Sequence, residues 1–267
     1  MGVPYAEVIG DPVEHSKSPL IHKYWLEKLG IQGDYRATRV TAEELPAYLA
    51  DRRADPDWRG CNVTMPLKQE ISALVDVEPI ARRIGAANTV LRHDDILSGT
   101  NTDWQGVNLS LDTHRLDPKR VAIIGTGGAA RAALEDMRQQ KVPHVMLVTR
   151  SPETGAALLA QFGLGGECLP LGAAPAADLL INASPLGMAG YPDLDLDLSR
   201  MERGATVFDM VYHPLETHLL RNARAGGFNT VDGLSMLIHQ ASMAFTYFFK
   251  RSPEPADHPA LRELLTS

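Results

Sequence analysis

The segment Val121-Ala-Ile-Ile124-Gly125-Thr126-Gly127-Gly128-Ala129-Ala130-Arg131 constrains this chain more than any other. A short apolar run closed by glycine reads as a buried parallel strand. The glycines after it stand in G-x-G-x-x-A spacing. Ala129, Ala130, Ala133, Leu134 and Met137 then recur at helical intervals, and Pro143 closes the pattern. Strand, glycine turn and helix in that order form the phosphate cradle of a dinucleotide-binding βαβ unit. Gly125 allows the tight turn, and Gly127 lets a pyrophosphate approach the backbone. Thr126, Gly128 and Ala129 complete the cradle at a helix N-terminus rich in N–H groups. Ala130 is small enough for helix and strand to pack closely.

The alternation continues downstream. Val145–Val148, Leu179–Ile181, Ala205–Phe208 and Phe228–Val231 read as strands, Cys168-Leu169 as a weaker one, with helices near 153–162 and 215–225. Strands and helices at that spacing predict a doubly wound parallel sheet. Asp or Glu at the end of the second strand would bind a ribose with a free 2′-hydroxyl. Here the strand ends in Thr149-Arg150-Ser151, a cation between two hydroxyls, which suits a 2′-phosphate and favours NADP over NAD. The polar loops Asn182–Met188 and Asp209–Pro214 should face the same crevice, beyond the carboxyl ends of the strands.

The first hundred residues read as a second α/β unit, with strands at Ala6–Ile9, Tyr35–Val40, Cys61–Thr64 and Asn88–Leu91. Ser18-Pro19 is expected to supply an N-cap and a first-turn proline to a helix ended by Gly30. The hydroxyls of Ser16 and Ser18 there offer donors to a carboxylate. Lys68 follows Pro66 by two residues, and if Pro66 opens a helix, the macrodipole opposes the lysine charge. Such a lysine suits proton transfer near neutral pH. Asn101-Thr102-Asp103 adds a carboxylate beside a polar cluster. Leu234, Leu237, Ile238, Ala241, Phe245 and Phe248 form a C-terminal helical stripe that either unit could claim. The pattern changes between about 101 and 118.

Taken together, Ser16-Lys-Ser18-Pro19, Asn62-Val-Thr64-x-Pro66-x-Lys68, Gly85-Ala-x-Asn88-Thr89, Asn101-Thr-Asp103, Gly125-x-Gly127-Gly128-Ala-x-Arg131 and Asp232-Gly233-Leu-x-Met236-Leu-x-x-Gln240 resemble the successive signatures of the shikimate dehydrogenase family. They occur in the family's order and cover nearly the whole chain. The resemblance implies two α/β domains with the active site in the cleft between them. A substrate domain would span 1–103 and be completed by C-terminal helices over 234–267. A Rossmann-like, doubly wound NADP-binding domain would span 104–233. It also implies NADP-dependent, reversible reduction of 3-dehydroshikimate to shikimate, a step toward chorismate and the aromatic amino acids. By the resemblance, Ser16 and Ser18 would hold the substrate carboxylate. Thr64, Asn88, Asp103 and Gln240 would bind ring hydroxyls, with Tyr212 nearby. Lys68 and Asp103 would form the acid–base pair, and Met210 and Gly233 would lie on the nicotinamide side. Against the family pattern, the second basic residue after Arg150 is missing and Glu153 stands close by, so use of NAD is an alternative. A quinate/shikimate dehydrogenase and a catalytically idle dinucleotide sensor are the competing readings.

Composition narrows the partners. The 26 Lys+Arg against 33 Asp+Glu leave a net charge of −7, and no basic run interrupts the chain, which argues against nucleic acid or an anionic membrane surface. No apolar stretch approaches a membrane span, and no export signal is visible at the N-terminus. Two cysteines make no disulfide framework, and the 9 histidines lack ligand spacing, so no metal is expected. The expectation is a cytoplasmic monomer or homodimer whose partners are small molecules.

Overall fold

A strand buried along its whole length needs cover on both faces, and Tyr5–Gly10 (β1) is such a strand. The computed structural model describes residues 2–112 and 116–266 and divides into two units. The first unit runs to Thr102 and resumes at Ile238. In it β1 pairs in parallel with Asp34–Arg39 (β2) and Trp58–Val63 (β3). Asp76–Val77 (β4), Thr89–His93 (β5) and Ile96–Thr100 (β6) complete a sheet of order β2-β1-β3-β5-β6-β4. β5 runs antiparallel to both β3 and β6, so this sheet is mixed. Side chains alternate across it: Tyr5 and Ile9 join a core with Leu45, Trp58 and Val63, while Ala6 and Val8 pack with Tyr35 and Leu91 on the other face. Ser18–Lys28 (α1), Leu45–Ala54 (α2) and Pro79–Ile84 (α3) belong to the same unit.

Strands β4 and β6 were not expected from the sequence. Ile96-Leu-Ser-Gly-Thr100 has too few apolar residues to declare itself. Its pairing with β5 across the Asp94-Asp95 turn, where Asp94 takes φ 53°, makes it a strand. Gly99 has no room for a side chain there, since a Cβ would come within 2.8 Å of Val75.

The second unit is Asp103–Leu237. Asp103–Asp112 (α4) leads to Arg120–Ile124 (β7), Gly128–Gln139 (α5), His144–Thr149 (β8), Pro152–Phe162 (α6) and Gly166–Pro170 (β9). Leu179–Asn182 (β10), Thr206–Asp209 (β11), His218–Ala225 (α7) and Asn229–Asp232 (β12) follow. All pairings are parallel, in the order β12-β11-β10-β7-β8-β9. Counted within the unit, that is the 3-2-1-4-5-6 order of the doubly wound dinucleotide-binding sheet. Val121, Ile123, Val145, Leu147, Leu179 and Ile181 fill one face, and Ala122, Ile124, Met146, Val148 and Leu180 the other.

Gly233–Phe249 (α8) carries the chain out of this unit, the division falling within the helix at Leu237/Ile238. The resemblance implies divisions at 103/104 and 233/234. Ala244 and Phe248 pack on the first sheet beside Ala6 and Tyr35, and His258–Thr266 (α9) ends the described chain. Among the described residues no helix is long and apolar enough to cross a membrane.

Candidate active site

In a parallel sheet of this order the strand connections diverge to opposite faces between β7 and β10, opening a crevice at their carboxyl ends. The glycine turn lies there. Gly125 takes φ +109°, and a Cβ on it would stand 3.1 Å from the Ala183 carbonyl, so the two loops approach as backbone against backbone. The Gly125 N–H donates to Val148 O and the Ala183 N–H to Ile124 O. Gly127, the N-cap of α5, has open space where a side chain would stand, as a cradle for a phosphate requires. Ala130 is fully buried in the core under the sheet, which accounts for a small residue at that position.

The neighbouring loops are tied down by one buried network. The Asn182 amide donates to Asp209 Oδ1 (2.9 Å) and to Leu186 O (3.0 Å), and its oxygen accepts the Ser184 N–H and hydroxyl. Asp209 also accepts the Val211 N–H (3.0 Å) and the Thr217 hydroxyl (2.6 Å). Burial pushes the Asp209 carboxyl up, and these donors pull against it. Met210 and Gly233 meet: a Cβ on Gly233 would fall 2.2 Å from the Met210 carbonyl. Tyr212 is half-buried, and burial raises its phenol. At the end of β8, Thr149 Oγ1 accepts the Ser151 N–H (3.1 Å), Ser151 caps α6, and Arg150 between them is exposed.

In the first unit the expected substrate residues Thr64 and Asn88 lie at the edge where β3 ends, the Val63 N–H donating to Asn88 O (2.7 Å). Antiparallel pairing brings the start of β5 to that edge as well, with Asn62 opposite Thr89. Thr64 follows β3, its N–H donating to Ile9 O (2.8 Å). Gly10 lets it sit close, because a Cβ there would be 2.4 Å from the Thr64 methyl. Asn88 is buried, its oxygen accepting the Thr102 N–H (2.7 Å) and its amide donating to Thr102 Oγ1 (3.0 Å). Ser18 is the first residue of α1 with Ser16 two positions before it, and Gln240 is buried on α8. Asp103 is the buried first residue of α4 and is grouped with the second unit.

Two expectations are corrected. Ser18 does not cap α1: it is the first helical residue, Lys17 takes the N-cap position, and the Ser18 N–H donates to Ser16 Oγ (3.3 Å). Lys68 does not lie in the first turn of a helix. Met65–Gln69 form turns around a cis Met65–Pro66 peptide and lead only to a short 3-10 stretch, Glu70–Ala73. The Lys68 carbonyl is instead pinned by the Ala87 N–H (2.8 Å) and the Ser72 hydroxyl (3.2 Å).

The supporting side chains Tyr35, Thr89, Thr102 and Thr217 were not singled out from the sequence, and Asn62 was given no role of its own. The available signal was a polar residue inside an apolar strand, as with Asn62 between Cys61 and Val63. Such a residue needs a buried partner.

A two-unit α/β chain, one unit carrying a glycine turn at the switch point of a 3-2-1-4-5-6 sheet, has the architecture of a dinucleotide-dependent oxidoreductase. Residues 8–90 match the model for the shikimate dehydrogenase substrate binding domain. The chain is 52% identical to a shikimate dehydrogenase (NADP(+)) of Sphingopyxis alaskensis, over 99% of this chain and 97% of that protein. It is 42% identical to that of Afipia carboxidovorans, over 98% and 96%. A solved shikimate 5-dehydrogenase from Thermus thermophilus, in complex with NADP(H) and shikimate, superposes with a TM-score of 0.89 at 35% identity, covering 98% of this chain and 99% of that one. The chain belongs to the shikimate dehydrogenase family.

Proposed function

We propose that this chain is an NADP-dependent shikimate dehydrogenase, interconverting 3-dehydroshikimate and shikimate on the route to aromatic amino acids. The observation that carries the reading is the 52% identity, over nearly the full length of both chains, to a relative of that name. NADP fits the residues present: an open glycine cradle at the N-terminus of α5, and Arg150 between two hydroxyl side chains at the end of β8. When bound, it supplies the hydride chemistry.

The chain's own residues bind, orient and move a proton. Ser16 and Ser18 hold the substrate carboxylate, while Thr64, Asn88, Asp103 and Gln240 bind the ring hydroxyls, with Tyr212 beside them. When the reacting carbon of shikimate gives up hydride, its hydroxyl must lose a proton. Lys68 takes that proton and returns it in the reverse direction, and Asp103 orients the lysine and the hydroxyl. Met210 and Gly233 would lie on the nicotinamide side, and Thr149, Arg150 and Ser151 would hold the 2′-phosphate. Free thiols at Cys61 and Cys168 are consistent with a reducing, cytoplasmic setting.

Absorbance at 340 nm tests the assignment, with NADP or NAD offered shikimate and then quinate. The expected result is turnover of shikimate with NADP at the highest kcat/KM. Comparable kcat/KM on quinate would make the enzyme a quinate/shikimate dehydrogenase. Cofactor binding without turnover would make it a sensor.

A further inference from the structure

The segment that carries Ser16 and Ser18 is tied to α9 by the lysine between them. Within the segment the bonds are local: the Ser16 N–H donates to Val13 O (3.0 Å), the Ser18 N–H to Ser16 Oγ (3.3 Å), and the Ile21 N–H to Lys17 O (3.2 Å). Val13 seats the start of the segment in the core beside Val8 and Tyr35. Lys17, the N-cap of α1, reaches a different element, its Nζ donating to Leu265 O. At the start of α1 the ammonium faces the positive end of that helix. The Leu265 carbonyl lies in the last turn of α9, where a helix leaves its acceptors unsatisfied and its dipole is negative, so the cation is favoured there. A second lysine closes the opposite end. Lys28, in the last turn of α1, donates to Oδ1 of Asp257, a buried carboxylate immediately before α9. The two helices are in contact and run antiparallel, latched by one lysine at each end, and Leu261 and Leu265 of α9 are buried. His258, the first residue of α9, also meets His239 of α8 edge to face, 4.6 Å between centroids, and the next residue on α8 is Gln240.

We infer that Lys17 is a positioning residue for substrate recognition: docked on the carboxyl end of α9, it fixes where Ser16 and Ser18 hold their hydroxyls. The seating of α9 thereby sets the affinity for the substrate carboxylate. The ammonium is committed to α9, and the carboxylate is left to the two neutral hydroxyls on either side of it. This rests on the reading of Ser16 and Ser18 as the carboxylate residues. Releasing Lys17 loosens the segment beyond its anchor at Val13, and the loosened hydroxyls must be ordered again each time substrate binds.

Three variants test it, read by steady-state kinetics and by amide hydrogen exchange along α9 in the ligand-free protein. Lys17→Met removes the ammonium, Lys17→Arg keeps a cation, and Lys28→Met releases the far latch, roughly 16 Å along α1 from Lys17. In Lys17→Met the KM for shikimate should rise about five- to tenfold, with kcat changing less and the KM for NADP unchanged. Exchange in the last turn of α9 should quicken in the same variant. Lys17→Arg should stay within about threefold of the unsubstituted enzyme. Lys28→Met should quicken exchange in α9 and raise the shikimate KM about two- to threefold, although Lys28 is remote from the serines. A raised shikimate KM in Lys17→Met with exchange in α9 unmoved would mean that the ammonium meets the carboxylate itself, and would overturn the inference. Quickened exchange with an unmoved shikimate KM would overturn it too, as would an equal rise in the NADP KM. Failure of the unsubstituted protein to oxidise shikimate would instead overturn the proposed function, leaving exchange to judge the latch.

Discussion

Lys68 is held by its backbone rather than by a helix, its carbonyl fixed by Ala87 and Ser72 while the side chain leaves a turn after β3. Its place in the order Asn62-Val-Thr64-x-Pro66-x-Lys68 was legible, because spacing within one segment survives whatever the segment folds into. The backbone around it was not, because the turn is closed by Ala87, distant in sequence. Lys68→Ala should lower kcat by about 10²–10⁴ with little change in the KM for shikimate, as loss of an acid–base group does; steady-state kinetics at saturating NADP checks this. Arg150 stands exposed at the end of β8, where its cation would meet a 2′-phosphate and Glu153 lies in the first turn of α6. Arg150→Ala should raise the KM for NADPH about ten- to a hundredfold more than that for NADH, since a charge-assisted contact contributes about 1.5–3 kcal/mol. Equal effects on the two cofactors would remove Arg150 from phosphate recognition.

At the scale of elements, β10, β11 and α7 are joined by polar groups rather than by packing alone. Thr217 caps α7, its Oγ1 accepting the Leu220 N–H (3.2 Å), and the same hydroxyl donates to buried Asp209. Thr217→Ala removes both bonds and leaves a buried carboxylate one donor short. It should cost about 2–3 kcal/mol, measured as a shift in the urea midpoint at constant slope. Strands β7, β8, β10 and β11 of the second unit were readable because each is a short, mainly apolar run buried on both faces. Strand β6 was not, since two apolar residues, a serine and a glycine carry no period until β5 lies beside them.

Across the whole chain, two buried titratable groups give the units opposite acid responses. In the first unit His22 is fully buried among Trp25, Tyr35, Phe245 and Phe248, and neither ring nitrogen has a hydrogen-bond partner among the described residues. Burial lowers its pKa to about 3 from 6.5. The unfolded chain therefore binds the proton first: stability is complete above pH 6.5 and falls as the pH drops toward 3, by a total on the order of 5 kcal/mol. In the second unit burial raises Asp136 to about 6 from 3.8, against hydrogen bonds from Asn108 and Gln140. Its folded form holds the proton more tightly, so its contribution is largest below pH 3.8 and is lost as the pH rises through 6. Melting temperatures measured from pH 4 to 7 should lose part of their acid-side fall in His22→Phe, whereas Asp136→Asn should steepen it. An unchanged profile in both variants would refute the assignment.

What the sequence alone determined is local: the glycine turn, the run of strands and helices around it, and the order of side chains able to bind a carboxylate, a hydroxyl or a phosphate. These follow from residue type and short spacing, which no distant contact alters. Tertiary structure alone decided the antiparallel turn of β5, which brings Asn88 to the edge where Thr64 follows β3, and a line of donors from Tyr35 to Asn88. Those depend on sheet order and register, and they join residues separated by dozens of positions whose meeting no local pattern encodes.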